Sequence, residues 1–288
     1  YQIENGAQLA YVLTPTLVNN ASPIPNGKCY VLVKDIRLNN TSNPNWKENS
    51  PKSWGWADAR FVGTFDGNGH TIDGLYYKGG QRVMGLFPYV GASNDGTMQA
   101  TIKNFKMTNA SITSTAADGA GFVAGQASRV AYFEDIYIDE SCEIISTSVK
   151  GVGGILGQSA YNIFMSNCAM NGKVSGNKNV GAFIGTASSG AKLDIKSSYT
   201  TADLYVQGVT DRNLASASAN VYVVKKQGTV DAVATQLTPE QMQGENAKQN
   251  MAGFDFDRAW KTVEGGYPVH YVYVRPDHVW DGTKAEKF

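Results

Sequence analysis

The chain has 288 residues, more than a single compact core ordinarily supports, so either two domains or an elongated repeat architecture is expected. Its 25 Lys and Arg balance 25 Asp and Glu, and only 17% of residues are charged, which argues against nucleic acid as a partner. No stretch approaches the roughly eighteen apolar residues of a membrane-spanning helix, and 31 glycines with abundant Ser, Thr, Asn and Tyr describe short strands and turns rather than long helices.

Asn5-Gly6-Ala7-Gln8 reads as a helix N-cap with Gln at the third helical position. It opens a short helix through Leu9, Val12 and Leu13 that stops at Pro15. The loop Asn45 to Trp56 then concentrates three of the five tryptophans, Trp46, Trp54 and Trp56, in a polar, turn-rich stretch. Flat rings in such a loop suit stacking on a sugar face, although burial of Trp54 and Trp56 against the entry coil fits equally well. In Phe65-Asp66-Gly67-Asn68-Gly69-His70-Thr71-Ile72, Asp66 and Asn68 suit a tight turn feeding a strand. Asp66, His70 and Asp73, a His between carboxylates, are the most tempting proton-transfer cluster in the chain, but the turn accounts for them better.

A repeat follows. Gly85-Leu86-Phe87 recurs as Gly121-Phe122-Val123-Ala124-Gly125, Gly153-Gly154-Ile155-Leu156-Gly157 and Gly181-Ala182-Phe183-Ile184-Gly185. A second register places an apolar residue after a short polar one at Phe105, Ile136, Cys168 and Tyr199, with Leu75 as an earlier member. Around Phe105 the pattern alternates, with Ile102, Met107 and Ile112 apolar and Lys103, Lys106 and Thr108 polar, as in strands with one buried face. Two or three strands per unit of about 30 residues cannot bury their faces alone, so units must stack in register. Stacking puts Leu75, Phe105, Ile136, Cys168 and Tyr199 on equivalent interior rungs and Asn104, Asp135 and Asn167 in a polar corner ladder. It also sets Lys103 above Glu134 as an opposite-charge pair.

Near the end, Thr238-Pro239-Glu240-Gln241 carries a second N-cap signature, and Phe254, Phe256, Trp260, Tyr267, Val269, Tyr271 and Tyr273 offer an aromatic plug. The organisation expected is one continuous domain: residues 1–58 an N-terminal cap and first coil, 59–235 the repeats, 236–288 a C-terminal helix and aromatic cap. Both ends protect strand edges that would otherwise template aggregation.

The segment Phe61-Val62-Gly63-Thr64-Phe65-Asp66-Gly67-Asn68-Gly69-His70-Thr71-Ile72-Asp73-Gly74-Leu75 resembles the entry segment of bacterial β-helix surface proteins that carry the GLUG motif. Upstream, Gln8-Leu9 and Tyr30 to Leu38 are similar to that family's opening helix and first strand. Downstream, the Gly-apolar-apolar-Gly repeats match the motif, and Trp260 through Gly265-Gly266-Tyr267-Pro268 resembles its closing segment. The resemblance runs from about residue 3 to about 275. Met84 to Pro88 lacks the second Gly and the unit after Tyr199 keeps only Leu214-Ala215-Ser216, so irregular coils are expected there. It implies an all-β chain, a single-stranded right-handed parallel β-helix with short capping helices at both ends. The family's members are exported, adhesin-like proteins of Gram-negative gut bacteria and their relatives. It implies no catalytic set.

Other chemistry is scattered. Polysaccharide lyases and glycosidases on β-helices use clustered carboxylates with Lys or Arg, for which Glu134, Asp135, Asp139, Arg129 and Asp118 are the candidates. Cys29, Cys142 and Cys168 lie far apart with no His cluster, so no metal or cofactor is expected, and Cys168 suits a small core position. No calcium-loop pattern occurs, and His270 and His278 fall in the aromatic closing segment. The sequence starts at Tyr1, as a mature or trimmed chain would, so secretion or outer-surface display is an expectation. The leading expectation is a non-catalytic module that recognises glycan or host matrix through Trp46, Trp54, Trp56, Tyr132 and Tyr161. Tyr76, Tyr77 and Tyr137 could extend that surface, although ordinary strand tyrosines fit too. The alternatives are a stalk that displays another domain, and a lyase or glycosidase.

Overall fold

The alternation in Ala100–Thr108 and Ala131–Ile138 lays these segments down as strands with one face inward, paired in parallel over Ala100 to Met107 and Ala131 to Ile138. In the computed structural model, residues 1–13, 28–54, 60–91, 99–115, 118–147, 150–206, 219–224 and 234–271 are described, and they form a parallel β-solenoid of about five turns. A complete coil carries four short strands rather than two or three. One coil runs Ala100–Thr108, Ser111–Ser114, Gly119–Gly121 and Ala124–Ala127, and each strand pairs in parallel with its counterpart one coil on. The first of these strands belongs to the longest sheet, the main wall, which begins at Gln2–Ile3 and ends at Thr235–Leu237.

The interior is filled by columns of equivalent residues. Tyr30, Phe65, Ile102, Phe133, Met165 and Ile195 follow one another through successive registers, and all are buried. Each such side chain contributes about 1.5 to 3 kcal/mol when fully buried. The Phe65 ring lies edge-on to Phe87 at 5.2 Å and to Phe105 at 5.9 Å, which ties the main wall to the opposite strands.

The expected column of Leu75, Phe105, Ile136, Cys168 and Tyr199 holds only in its middle. Phe105 pairs with Ile136, and Cys168 occupies the next rung, all three fully buried. Tyr199 pairs with Ala169, one position further on, and so faces out of the coil. Ser198 takes the interior rung instead: its Oγ accepts from the Cys168 N–H at 3.0 Å and donates to the Lys196 carbonyl at 2.7 Å. A one-residue slip exchanges the two faces of a strand, and a hydroxyl with both partners satisfied costs little inside. Leu75 is buried but belongs beside Ala110, since Tyr76 pairs with Ser111. Opposite Phe105 sits the Gly67–His70 turn, where a Cβ on Gly67 would stand 2.3 Å from that of Phe105.

Two glycine and corner devices bend the chain. The strands on either side of Phe122-Val123 fold back so closely that a Cβ on Gly119 would lie 2.1 Å from the Gly125 carbonyl. The equivalent approach one coil on, Gly151 to Gly157, would be 2.3 Å. Glycine here admits backbone against backbone. The short coil at Met84 to Pro88 has one residue fewer: Met84 bridges Ala120 while Phe87 pairs with Ala124. At the other corner Asn104, Asp135, Asn167, Ser197 and Asn220 all take positive φ, between 47° and 66°. Asn and Asp tolerate this region best among residues with a Cβ.

Short helices flank the coils on both sides in the chain. Helix α1, Gly6–Leu13, is capped by Asn5, whose Oδ1 accepts from the Gln8 N–H at 3.0 Å, and its Leu9 and Val12 join the interior core. Helix α2, Pro239–Met242, carries the expected capping box between Thr238 and Gln241. With α3, Asn246–Asn250, and the hairpin of Trp260–Val263 and Gly266–His270, it builds a second core. This second core does not plug the coil. It covers the outer face of the main wall, enclosing Ala169, Tyr199 and Tyr222 beneath Phe254 and Trp260. Tyr199 Oη donates to the Pro268 carbonyl at 2.7 Å, and Ser197 Oγ donates to that of Gly253 at 2.8 Å.

Candidate functional site

The outer face of the main wall repeats in rows. Thr64, Thr101, Tyr132, Phe164 and Asp194 form one row across successive coils, and Tyr132 stacks on Phe164 with centroids 5.0 Å apart. Lys192 Nζ lies 5.8 Å from the Phe164 ring centroid and 3.6 Å from the Asp194 carboxylate. Asp194 also pairs with Lys196 at 3.1 Å. Just before these strands the chain turns a corner. There the Arg129 guanidinium covers the Tyr161 ring at 4.6 Å and donates to its hydroxyl, one coil further on. The same corner holds Arg60, over the Tyr89 ring at 4.5 Å and donating to Ser128 Oγ at 3.0 Å.

Two of the five sequence-derived ligand residues, Tyr132 and Tyr161, therefore meet on one corner. Tyr161 is 37% exposed. Trp46 and Trp54 are elsewhere and retain only 7% and 5% exposure. Trp54 Nε1 donates to the Leu86 carbonyl at 3.1 Å, and Trp46 packs edge-on against Tyr76 at 5.9 Å. Trp54 is thus buried, as the burial alternative for Trp54 and Trp56 expected, and Trp46, which that alternative did not include, is buried as well. Trp56 lies outside the described residues. Tyr77 is buried and Tyr137 lies beneath Lys106 and against His270, so neither adds to the corner. Phe164, Arg129, Lys192 and Arg60 were not singled out as ligand residues from sequence. The signal was present: Phe164 follows Tyr132, and Tyr161 follows Arg129, by one coil each.

The carboxylates have structural partners. Asp66 Oδ1 accepts from the Asn68 N–H at 2.8 Å, the expected turn, and Asn68 and Gly69 take positive φ. His70 Nδ1 lies 3.2 Å from Asp35 Oδ1 rather than between Asp66 and Asp73, while Asp73 accepts from Thr108 and Asn109. Burial would raise the Asp118 carboxyl, but hydrogen bonds from Lys150 and Arg82 in the adjoining coils hold it below its ordinary value. For Asp139 the Ser141 backbone and Lys106, 3.0 Å away, likewise outweigh burial. Asp135 is raised by burial despite the Asn167 hydrogen bond. Lys103 registers with Glu134 as expected, and its ammonium pairs with Asp66 of the preceding coil at 3.7 Å. Among the described residues no group of three or more His, Cys, Asp and Glu is placed to hold a metal ion. Cys142 and Cys168 are buried and free, the former pushed up to about 12 by burial.

No family model and no curated protein matches this chain. Among solved structures the chain is similar to "a putative immunoglobulin A1 protease from Bacteroides ovatus", with 18% identity and a TM-score of 0.62 over 94% of this chain and 92% of that one. At that identity the likeness concerns the fold.

Proposed function

We propose that this chain is a non-catalytic, exported binding module of the GLUG-motif kind, recognising glycan or host matrix through the corner around Tyr132 and Tyr161. The observation that carries the reading is the convergence of Tyr132, Phe164, Tyr161 and Arg129 from two consecutive coils, with Tyr161 partly open to water. Rings with an apolar body and a polar edge, held rigid by strands, suit sugar recognition at low entropic cost. Three of the candidate carboxylates are tied into the coil framework, Asp135 by Asn167, Asp139 by Lys106, and Asp118 by Lys150 and Arg82.

The test is a glycan array with the whole chain, followed by calorimetry on any hit with Tyr161→Ala and Tyr132→Ala. Binding lost in both variants supports the reading. Binding to nothing, or binding unaffected by either substitution, overturns it and favours a spacer. The name of the Bacteroides ovatus protein supplies a second overturning outcome: cleavage of immunoglobulin A1 by the purified chain.

A further inference from the structure

Three cation–ring pairs climb the same corner of the solenoid. Arg60 covers Tyr89, its register partner one coil on; Arg129 covers Tyr161; and Lys192 covers Phe164. They are joined physically. Arg60 Nη1 donates to Ser128 Oγ at 3.0 Å and Arg129 Nη1 lies 3.4 Å from the Ser128 carbonyl, so two guanidinium groups meet at one residue. The Lys192 N–H donates to Asn162 Oδ1 at 2.8 Å, next in sequence to Tyr161. The cations thus recur on every second coil along the solenoid axis, at intervals of about 9 to 10 Å, twice the strand spacing. Among the described residues, Asp194 pairs with Lys192 at one end of this group.

We infer that this corner binds an anionic polysaccharide, its carboxylate or sulfate groups meeting Arg60, Arg129 and Lys192 in turn while its sugar faces lie along the Tyr161 and Tyr132 edges. This rests on the glycan-binding reading and deepens it by naming the charge of the ligand. A guanidinium laid on an aromatic face loses little freedom when it pairs with a planar carboxylate or a sulfate. A polymer with one charge per sugar or disaccharide matches a periodic row of cations in a way that an isolated anion does not.

The experiment measures binding of the whole chain to three immobilised polymers: polygalacturonate as the carboxylate source, dextran sulfate as the sulfate source, and unmodified dextran. Binding to at least one anionic polymer and not to dextran is expected, weakening steeply between low and physiological salt. Arg60→Gln with Arg129→Gln should reduce that binding at least about tenfold, while Lys261→Gln, on the distant hairpin, should leave it unchanged. Arg129→Lys, keeping the charge with little disturbance of packing, should recover part of the loss, and an unchanged circular dichroism spectrum reports that each variant folds. Equal binding to dextran, or full anionic binding by the double Gln variant, overturns the inference while leaving the broader glycan reading intact. Failure to bind any polymer here or on the glycan array overturns both.

Discussion

Asn167 donates from Nδ2 to Asp135 Oδ1 of the preceding coil at 3.1 Å, and both residues hold φ near 52°. The corner therefore needs a residue that tolerates the left-handed region and a side chain that can bond along the axis. Burial raises the Asp135 carboxyl, so the charged form is disfavoured in the fold. Asp135→Asn should keep the ladder and remove that penalty, leaving stability at pH 7 equal or higher. The wild type's contribution from this group is complete below the unfolded carboxyl value of about 3.9 and declines as pH rises through the raised folded value. Asp135→Val, β-branched at positive φ and without an acceptor, should lose about 2 kcal/mol or more in urea unfolding. Equal stability of the Val and Asn variants would remove the corner argument.

The glycine corners give a sharper contrast. A Cβ on Gly153 would stand 2.0 Å from the Leu156 carbonyl and 2.6 Å from the Gly185 N–H nitrogen, both backbone atoms. Gly153→Ala should cost about 3 kcal/mol or more, because neighbouring coils would have to separate. Around Gly190 nothing lies within 4 Å of the added atom, and Gly190→Ala should stay within about 0.5 kcal/mol of wild type. Thermal unfolding of the two proteins side by side checks the pair.

Tyr199 anchors the C-terminal cover. Its ring is enclosed by Phe254, Trp260 and Tyr267, and Asn171 donates to its hydroxyl at 3.2 Å. Tyr199→Phe should cost about 1 to 2 kcal/mol for the stranded partners, and Tyr199→Ala about 3 to 5 kcal/mol. The distinguishing measurement is limited proteolysis. In Tyr199→Ala the segment after Leu237 should be cleaved before the coils, whereas equal cleavage throughout would mean that cover and solenoid unfold as one.

Much of this architecture was legible because a coil of about 30 residues leaves a periodic trace. Phe105, Ile136 and Cys168 share a rung, and the corner of Asn104, Asp135 and Asn167 stands where the spacing put it. The errors came where local pattern is degenerate. Lys196-Ser197-Ser198-Tyr199 offers two serines for the corner, and hydrophobicity favours putting Tyr199 inside; only the cover formed some 55 to 70 residues later makes an outward Tyr199 equally dry. Leu75 was misplaced because the Gly67–His70 turn inserts extra residues opposite Asn104 and Phe105. At the binding corner, Tyr132 and Tyr161 were visible as single residues, but the pairing of Arg60 with Tyr89 across coils requires the register of an earlier, irregular part of the chain.

His270 should make stability pH-dependent. It is wholly buried, stacked on Trp260 at 4.2 Å and edge-on to Tyr137, with Nε2 2.6 Å from the Asn167 carbonyl. Burial lowers it to about 4, against a partial rise from that hydrogen bond. The folded state therefore keeps the imidazole neutral while the unfolded chain protonates below about 6.5. A depressed folded value means the full contribution stands above pH 6.5 and is lost as pH falls toward 4, a decline of about 3 kcal/mol in total. The Asp139 carboxyl, held below its ordinary value by the Ser141 backbone and by Lys106 at 3.0 Å, stays charged over most of that range and contributes little to the slope. Urea unfolding from pH 7.5 to 4.5 should show wild type losing stability relative to His270→Gln, whose side chain donates to Asn167 but does not titrate. Parallel pH profiles for the two proteins would show that the imidazole is not the group responsible.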